Sequence, residues 1–175
     1  TSKALIEGVS KSASAVLVLE ASLNGKVKTG RKGTSMYQIA VHGRASHAGL
    51  EPEKGINATI EIAAIVIEVA KLANPEFGTT VVPTVMHAGT TTNTVPALAT
   101  LDIDIRSFSA AELIRVDTAI RKLAAAHPEA KLEVKGGINR PPLETSATLE
   151  LYEILEKVAS EIGMEPVGHA SVGGA

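Results

Sequence analysis

The feature that most constrains this chain is a change of hydrophobic period between residues 34 and 135. Residues 36–41 alternate, with Tyr37, Ile39 and Val41 on one side, as a half-buried strand does. Residues 57–72 carry apolar side chains at helical spacing. Residues 79–86 and 97–105 read as strands again. In the second, Leu101, Ile103 and Ile105 face one way while Asp102, Asp104 and Arg106 face the other. Residues 110–126 form a second amphipathic helix that ends near His127 and Pro128, and residues 131–135 alternate once more.

The order β-α-β-β-α-β predicts an α+β, ferredoxin-like unit: an antiparallel four-stranded sheet with two helices on one face. Such a sheet leaves a face and its edges open, which invites pairing with another copy. On its N-terminal side, residues 2–8 read as a short helix. Residues 15–19, AVLVL, read as a strand buried on both faces and followed at once by Glu20. LNGKVKTGRKG is polar and glycine-punctuated, a crossing point between domains. On the C-terminal side, GGINRPP reads as a linker, residues 146–162 as a helix, and VGHASVGGA as a glycine-rich stretch with no closing element.

Composition removes several functions. With only 2% aromatic residues and a net charge of -2, the chain lacks the basic face and stacking platforms of a nucleic-acid binder, so no nucleic-acid partner is expected. It has no cysteine, which leaves His and carboxylates as the strong metal ligands. The longest apolar candidate, residues 60–73, is broken by Glu61, Glu68 and Lys71, so no membrane span is expected. The first residues lack the layout of a secretory signal. A cytoplasmic location is favoured, although composition does not fix the compartment.

Four places offer chemistry. In GRASHAG, residues 43–49, small neighbours leave the His47 imidazole free to point outward, although a histidine capping the following helix would read the same way. Glu20 stands where strand ends gather ligands, yet a solvated strand-end carboxylate explains it equally. Asn93, in NTVP, and Arg106 together suit a carboxylate, because a guanidinium offers two parallel donors. An ion pair of Arg106 with Asp102, Asp104 or Glu112 is the alternative. His42, His87 and His127 read as structural, and His169 is open to either reading. No HExxH, P-loop, GxSxG or GxGxxG occurs.

The order of these pieces is more telling than any one of them. A Glu after an apolar run, then GRASHAG with EPEKGINA, then HAGTTTNTVPALATLDIDIR, then GGA resembles the two-zinc aminoacylase, deacetylase and carboxypeptidase family. The resemblance extends over essentially the whole chain and points to the glutamate carboxypeptidase branch. It implies a zinc-peptidase catalytic domain interrupted by a ferredoxin-like lid that dimerises. On that pattern residues 1–28 and 141–175 are catalytic-domain segments, and residues 29–140 are the lid.

The resemblance also assigns roles. Glu20 corresponds to a zinc-binding carboxylate. His47 corresponds to a lid histidine that reaches the partner subunit's active site and stabilises an oxyanion. Asn93 and Arg106 correspond to residues that hold the substrate's free carboxylate. Gly173 and Gly174 correspond to a glycine loop that approaches the same substrate end. The implied enzyme uses two zinc ions to cleave an amide beside a free carboxylate, in a peptide or an N-acyl amino acid. The remaining metal ligands and the general base have no counterpart here, so this segment is expected to bind zinc weakly or not at all and to be inactive alone. A second reading makes it an autonomous homodimerising module without chemistry.

Overall fold

The computed structural model describes residues 2–165 and 167–173. Its contacts divide the chain into two units. One runs from Arg31 to Glu144 and takes in the residues from Val172; the other comprises the residues up to Gly30 and Thr145–Ser171.

The larger unit is built on β2 (Gly33–His42), α2 (Ala58–Ala70), β3 (Thr80–Ala88), β4 (Leu98–Ser107), α3 (Ala110–Arg121) and β5 (Lys131–Arg140). The four strands form one antiparallel sheet in the order β3-β4-β2-β5, the ferredoxin-like topology. The alternating side chains Tyr37, Ile39, Val41, Ala99, Leu101, Ile103 and Ile105 are buried on one face. Against them pack Ile62, Ile65 and Val69 of α2 and Leu113, Val116 and Ile120 of α3. Each helix starts on a polar cap. Asn57 Oδ1 accepts from the amides of Thr59 and Ile60 at 3.0 and 3.4 Å, and Ser109 Oγ accepts from Glu112 at 3.4 Å.

Two elements depart from the sequence expectation for physical reasons. The helix expected to reach residue 126 stops at Arg121. The buried Glu61 carboxylate of α2 takes the amides of Ala126 and His127 at 2.7 and 3.1 Å, drawing that stretch away from the helix axis. GGINR is not a linker but the second half of β5. Gly136 adopts φ +98, and a Cβ there would lie 2.1 Å from the Met36 carbonyl oxygen. Only glycine lets β5 continue so close to β2.

In the smaller unit α1 covers Ser2–Ser10 and α4 covers Leu149–Glu161. The run AVLVL is not a buried strand. Val16, Leu17, Val18 and Leu19 are 54–99% exposed and lie in irregular backbone, because no strand among the described residues offers them a ladder. The supposed crossing point holds instead a tight turn at Asn24 and Gly25, both at positive φ, followed by β1 (Val27–Arg31). The C-terminal stretch, expected to lack a closing element, contributes β6 (His169–Val172), which pairs with β1.

Two carboxylates of α3 tie its outer side down. Tyr37 Oη donates to Asp117 at 2.6 Å, and Asp117 is also bound by Arg121, whose Nη2 reaches the Gly136 carbonyl at 3.1 Å. Arg121 and then Tyr37 hold the Asp117 carboxyl below its ordinary value, while burial and then Asp117 push the Tyr37 hydroxyl up. Arg115, at 2.7 Å, likewise lowers Glu112. A lowered carboxyl pKa adds stability that is complete above the ordinary carboxylate range and is lost as pH falls through the folded value. Urea unfolding should therefore show stability falling as pH drops below about 4, and Asp117→Asn should make that fall shallower. An unchanged acid limb in the variant would refute a folded-state role for this carboxylate.

Candidate functional site

The GRASHAG loop leaves β2 at the same end of the sheet where β4 begins. Three segments are laced together there by backbone bonds. Gly43 N donates to Ala97 O at 2.8 Å, Arg44 and Ile56 exchange bonds at 3.0 and 2.8 Å, and Ala58 N donates to Pro96 O at 2.9 Å. Val95 N reaches Ser46 O and Ala48 N reaches Asn93 O, both at 2.9 Å. The approach is too close for side chains: a Cβ on Gly43 would meet the Ile56 oxygen at 2.1 Å, and one on Gly55 would meet Ser46 Oγ at 2.5 Å. Arg44 adds a clamp, with Nε on the Lys54 carbonyl and Nη1 on Glu129, both at 2.8 Å.

This platform presents His47 and Asn93 side by side on exposed loops. The imidazole is oriented by its own turn. Nδ1 accepts from the amides of Gly49 and Leu50 at 3.1 and 3.2 Å. An acceptor nitrogen carries no hydrogen, so in the neutral ring the proton sits on Nε2, on the outward side. The ring therefore caps its own turn with one nitrogen and keeps a donor on the other. Beside the platform lies a groove of about 290 Å³, lined by Ala45, His87, Gly89, Thr94, Pro96 and Thr100. His87, read from the sequence as structural, lies on the wall of this groove.

Arg106 stands at the other end of β4. The register runs from Gly33↔Ser107 to His42↔Leu98, so Arg106 and the His47–Asn93 platform are separated by the length of the strand. At about 3.3 Å per residue this is roughly 25 Å, far beyond side-chain reach. The guanidinium is paired with Asp104, through Nε at 2.9 Å and Nη2 at 3.2 Å. Of the ion-pair partners open from sequence, Asp104 is the one engaged. Gly173 lies at the Arg106 end, where a Cβ added to it would stand 3.8 Å from the Lys32 side chain. Gly174 is outside the described residues.

Glu20 belongs to the smaller unit and is held by Lys28 Nζ at 3.1 Å. There too, His169 Nδ1 meets Thr29 Oγ1 at 3.0 Å and the ring packs on Tyr152. His127 Nδ1 accepts from the Glu129 amide, and His42 lies 3.6 Å from Glu133. No group of three or more His, Asp or Glu is gathered to hold a metal ion among the described residues. The donors in view therefore do not by themselves fit a zinc centre. No helix among the described residues is long and apolar enough to cross a membrane.

Residues 29–132, more than half of the chain, match the family described as the peptidase dimerisation domain. Carboxypeptidase G2 of Pseudomonas sp. (strain RS-16) is 35% identical over 107 residues, covering 60% of this chain and 26% of that protein. The structure of an aminobenzoyl-glutamate utilization protein from Klebsiella pneumoniae superimposes with a TM-score of 0.63 and 26% identity, over 89% of this chain and 41% of that one. Aminopeptidase PepT from Bacillus cereus shares the fold, with a TM-score of 0.63 at 24% identity over 86% of this chain and 41% of its own. The chain thus spans less than half the length of each of these relatives.

The His47 geometry gives a direct test. Nitrogen-15 spectra at alkaline pH should show Nδ1 as the unprotonated, pyridine-type nitrogen and Nε2 as the pyrrole-type one. The reverse assignment would remove the outward donor.

Proposed function

This chain belongs to the peptidase dimerisation domain family, and on that footing we propose that it pairs with a second copy to complete a peptidase or amidohydrolase site that neither copy closes alone. The observation that carries the reading is the separation of the two halves of the site. His47 and Asn93 sit at one end of the sheet and Arg106 with Gly173 at the other. Two sheets joined antiparallel along an edge set opposite ends side by side.

The edge strand β3 and the helix above it are suited to that contact. On α2 the exposed residues Ile60, Ala63, Ala64 and Ile67 fall at i, i+3, i+4 and i+7, a continuous apolar stripe left over after the core-facing side is buried. Beside α2, β3 exposes Met86 on the helix side, while its Val82 and Val85 lie on the open face of the sheet. A second copy would cover both and satisfy the open backbone edge.

In the completed site the substrate is a peptide or N-acyl amino acid with a free carboxylate. Arg106 of one copy and Asn93 of the partner copy hold that carboxylate, and the glycine loop of Gly173 and Gly174 lets the substrate's end approach the backbone. Nε2–H of the partner copy's His47 donates to the oxygen on which negative charge develops as the amide is attacked. Residues 1–28 and 141–175 are read as parts of the catalytic domain of the longer protein. There Glu20 would give one carboxylate to a two-zinc centre whose other ligands lie outside this chain. The roles of His47, Asn93 and Arg106 do not depend on that centre being present here. The second reading, a homodimerising module without chemistry, rests on the absence of a gathered ligand set among the described residues.

Mixed dimers separate these readings in the full-length protein. His47→Ala alone should lower kcat about 10²–10³-fold. Arg106→Ala alone should abolish preference for the free carboxylate. With the free-carboxylate substrate at a concentration where each variant alone is nearly inactive, mixing the two should restore roughly a quarter of wild-type activity, because half the dimers are mixed and each holds one intact site. No recovery would show that both residues serve the same copy. Full activity of His47→Ala would favour the module without chemistry.

A further inference from the structure

Resting on the carboxylate-binding reading of Arg106, we propose that Asp104 is its positioning residue: it takes the inner edge of the guanidinium and so aims the outer edge at the substrate. A guanidinium offers five N–H donors arranged as two forks. Asp104 occupies the side fork, accepting from Nε at 2.9 Å and from Nη2 at 3.2 Å. The end fork, made by Nη1 and the second hydrogen of Nη2, engages nothing among the described residues. It can grip a second carboxylate through two parallel bonds while the first stays in place. The ion pair that looked like an alternative to substrate binding is thus compatible with it.

Among the described residues Arg106 is the side-chain partner of the Asp104 carboxylate. Along β4 the two residues are two positions apart and so on the same open face, where their side chains stand together. Across the ladders Asp104 faces Met36 on β2 and Val82 on β3, neither of which can hydrogen-bond it through its side chain. Asp102, the next carboxylate along, is by contrast engaged by Gln38 Nε2 at 3.0 Å. Arg106 itself faces Thr34 and Thr80, which are too short to steer a long side chain. Its exposure is 32% and that of Asp104 28%, so the pair is sheltered at its joined edge and open to solvent at the other. Without Asp104 the arginine would regain its rotamer freedom, and binding would have to restrict it anew.

The test is Asp104→Asn in the full-length protein, read against an N-acyl amino acid and the matching primary amide, which lacks the charge. The asparagine keeps the volume but replaces one acceptor by a donor facing a donor, which opens the side fork. The expected result is a KM for the acid raised about tenfold with kcat little changed, and no change for the amide. In the same variant of the 175-residue chain, hydrogen exchange at the Arg106 Nε–H should be faster than in the unsubstituted chain. Asp104→Ser gives the same reading should the asparagine variant fail to accumulate. An unchanged KM for the acid overturns the proposal, and so does a lowered one, which would make Asp104 a competitor for the guanidinium. Arg106→Ala distinguishes the two levels. If it leaves the preference for acid over amide intact, the carboxylate reading itself falls. If it removes that preference while Asp104→Asn does not, only the role of Asp104 falls.

Discussion

The antiparallel ladder between the two central strands governs everything else in the larger unit. Ten register pairs, from Gly33↔Ser107 to His42↔Leu98, fix which functional side chain lies at which end of the sheet. Because β2 leads directly into the GRASHAG loop and β4 is entered through NTVP, the imidazole and the asparagine must emerge together. Because Arg106 lies near the close of β4, it must emerge far from both. No loop movement can bridge a distance set by a strand whose inward side chains are buried under two helices. In the proposed shared site, a second copy brings the ends together.

The two ends are stiffened by different means. At the His47 end the backbone itself is the scaffold: amide–carbonyl bonds join three segments, and the glycines at 43 and 55 allow the approach. The imidazole is then fixed by two amides of its own turn, which also selects its tautomer. At the Arg106 end the backbone is an ordinary strand, and orientation falls to a side-chain partner. A long flexible cation needs such a partner more than a short ring does.

Much of this was legible in the residues. The alternating positions 37, 39 and 41 and 101, 103 and 105 are buried as their period required, and Asn57 caps the helix that its spacing announced. Outside the larger unit, local pattern misled. AVLVL has the composition of a buried strand, but burial is a property of neighbours, and no described strand lies beside it. The glycines of GGINR and VGHASVGG looked like breaks; in both places glycine or its neighbours continue a strand, because pairing partners distant in sequence supply the ladder. Candidate site residues were named from the sequence, but not how they are distributed. Which end of a strand a residue occupies follows from register, and register is set by pairing across the sheet.

A shared site requires the His47 end of one copy to lie beside the Arg106 end of the other. The chain has no cysteine, so spin labels can be placed singly. With Thr91→Cys in one copy and Lys32→Cys in its partner, electron–electron dipolar distances in mixed dimers report the separation directly. The distance between copies should be clearly shorter than that between the same two positions within one copy, which spans the sheet at roughly 30 Å. A distance between copies equal to or longer than the one within a copy would contradict the shared site.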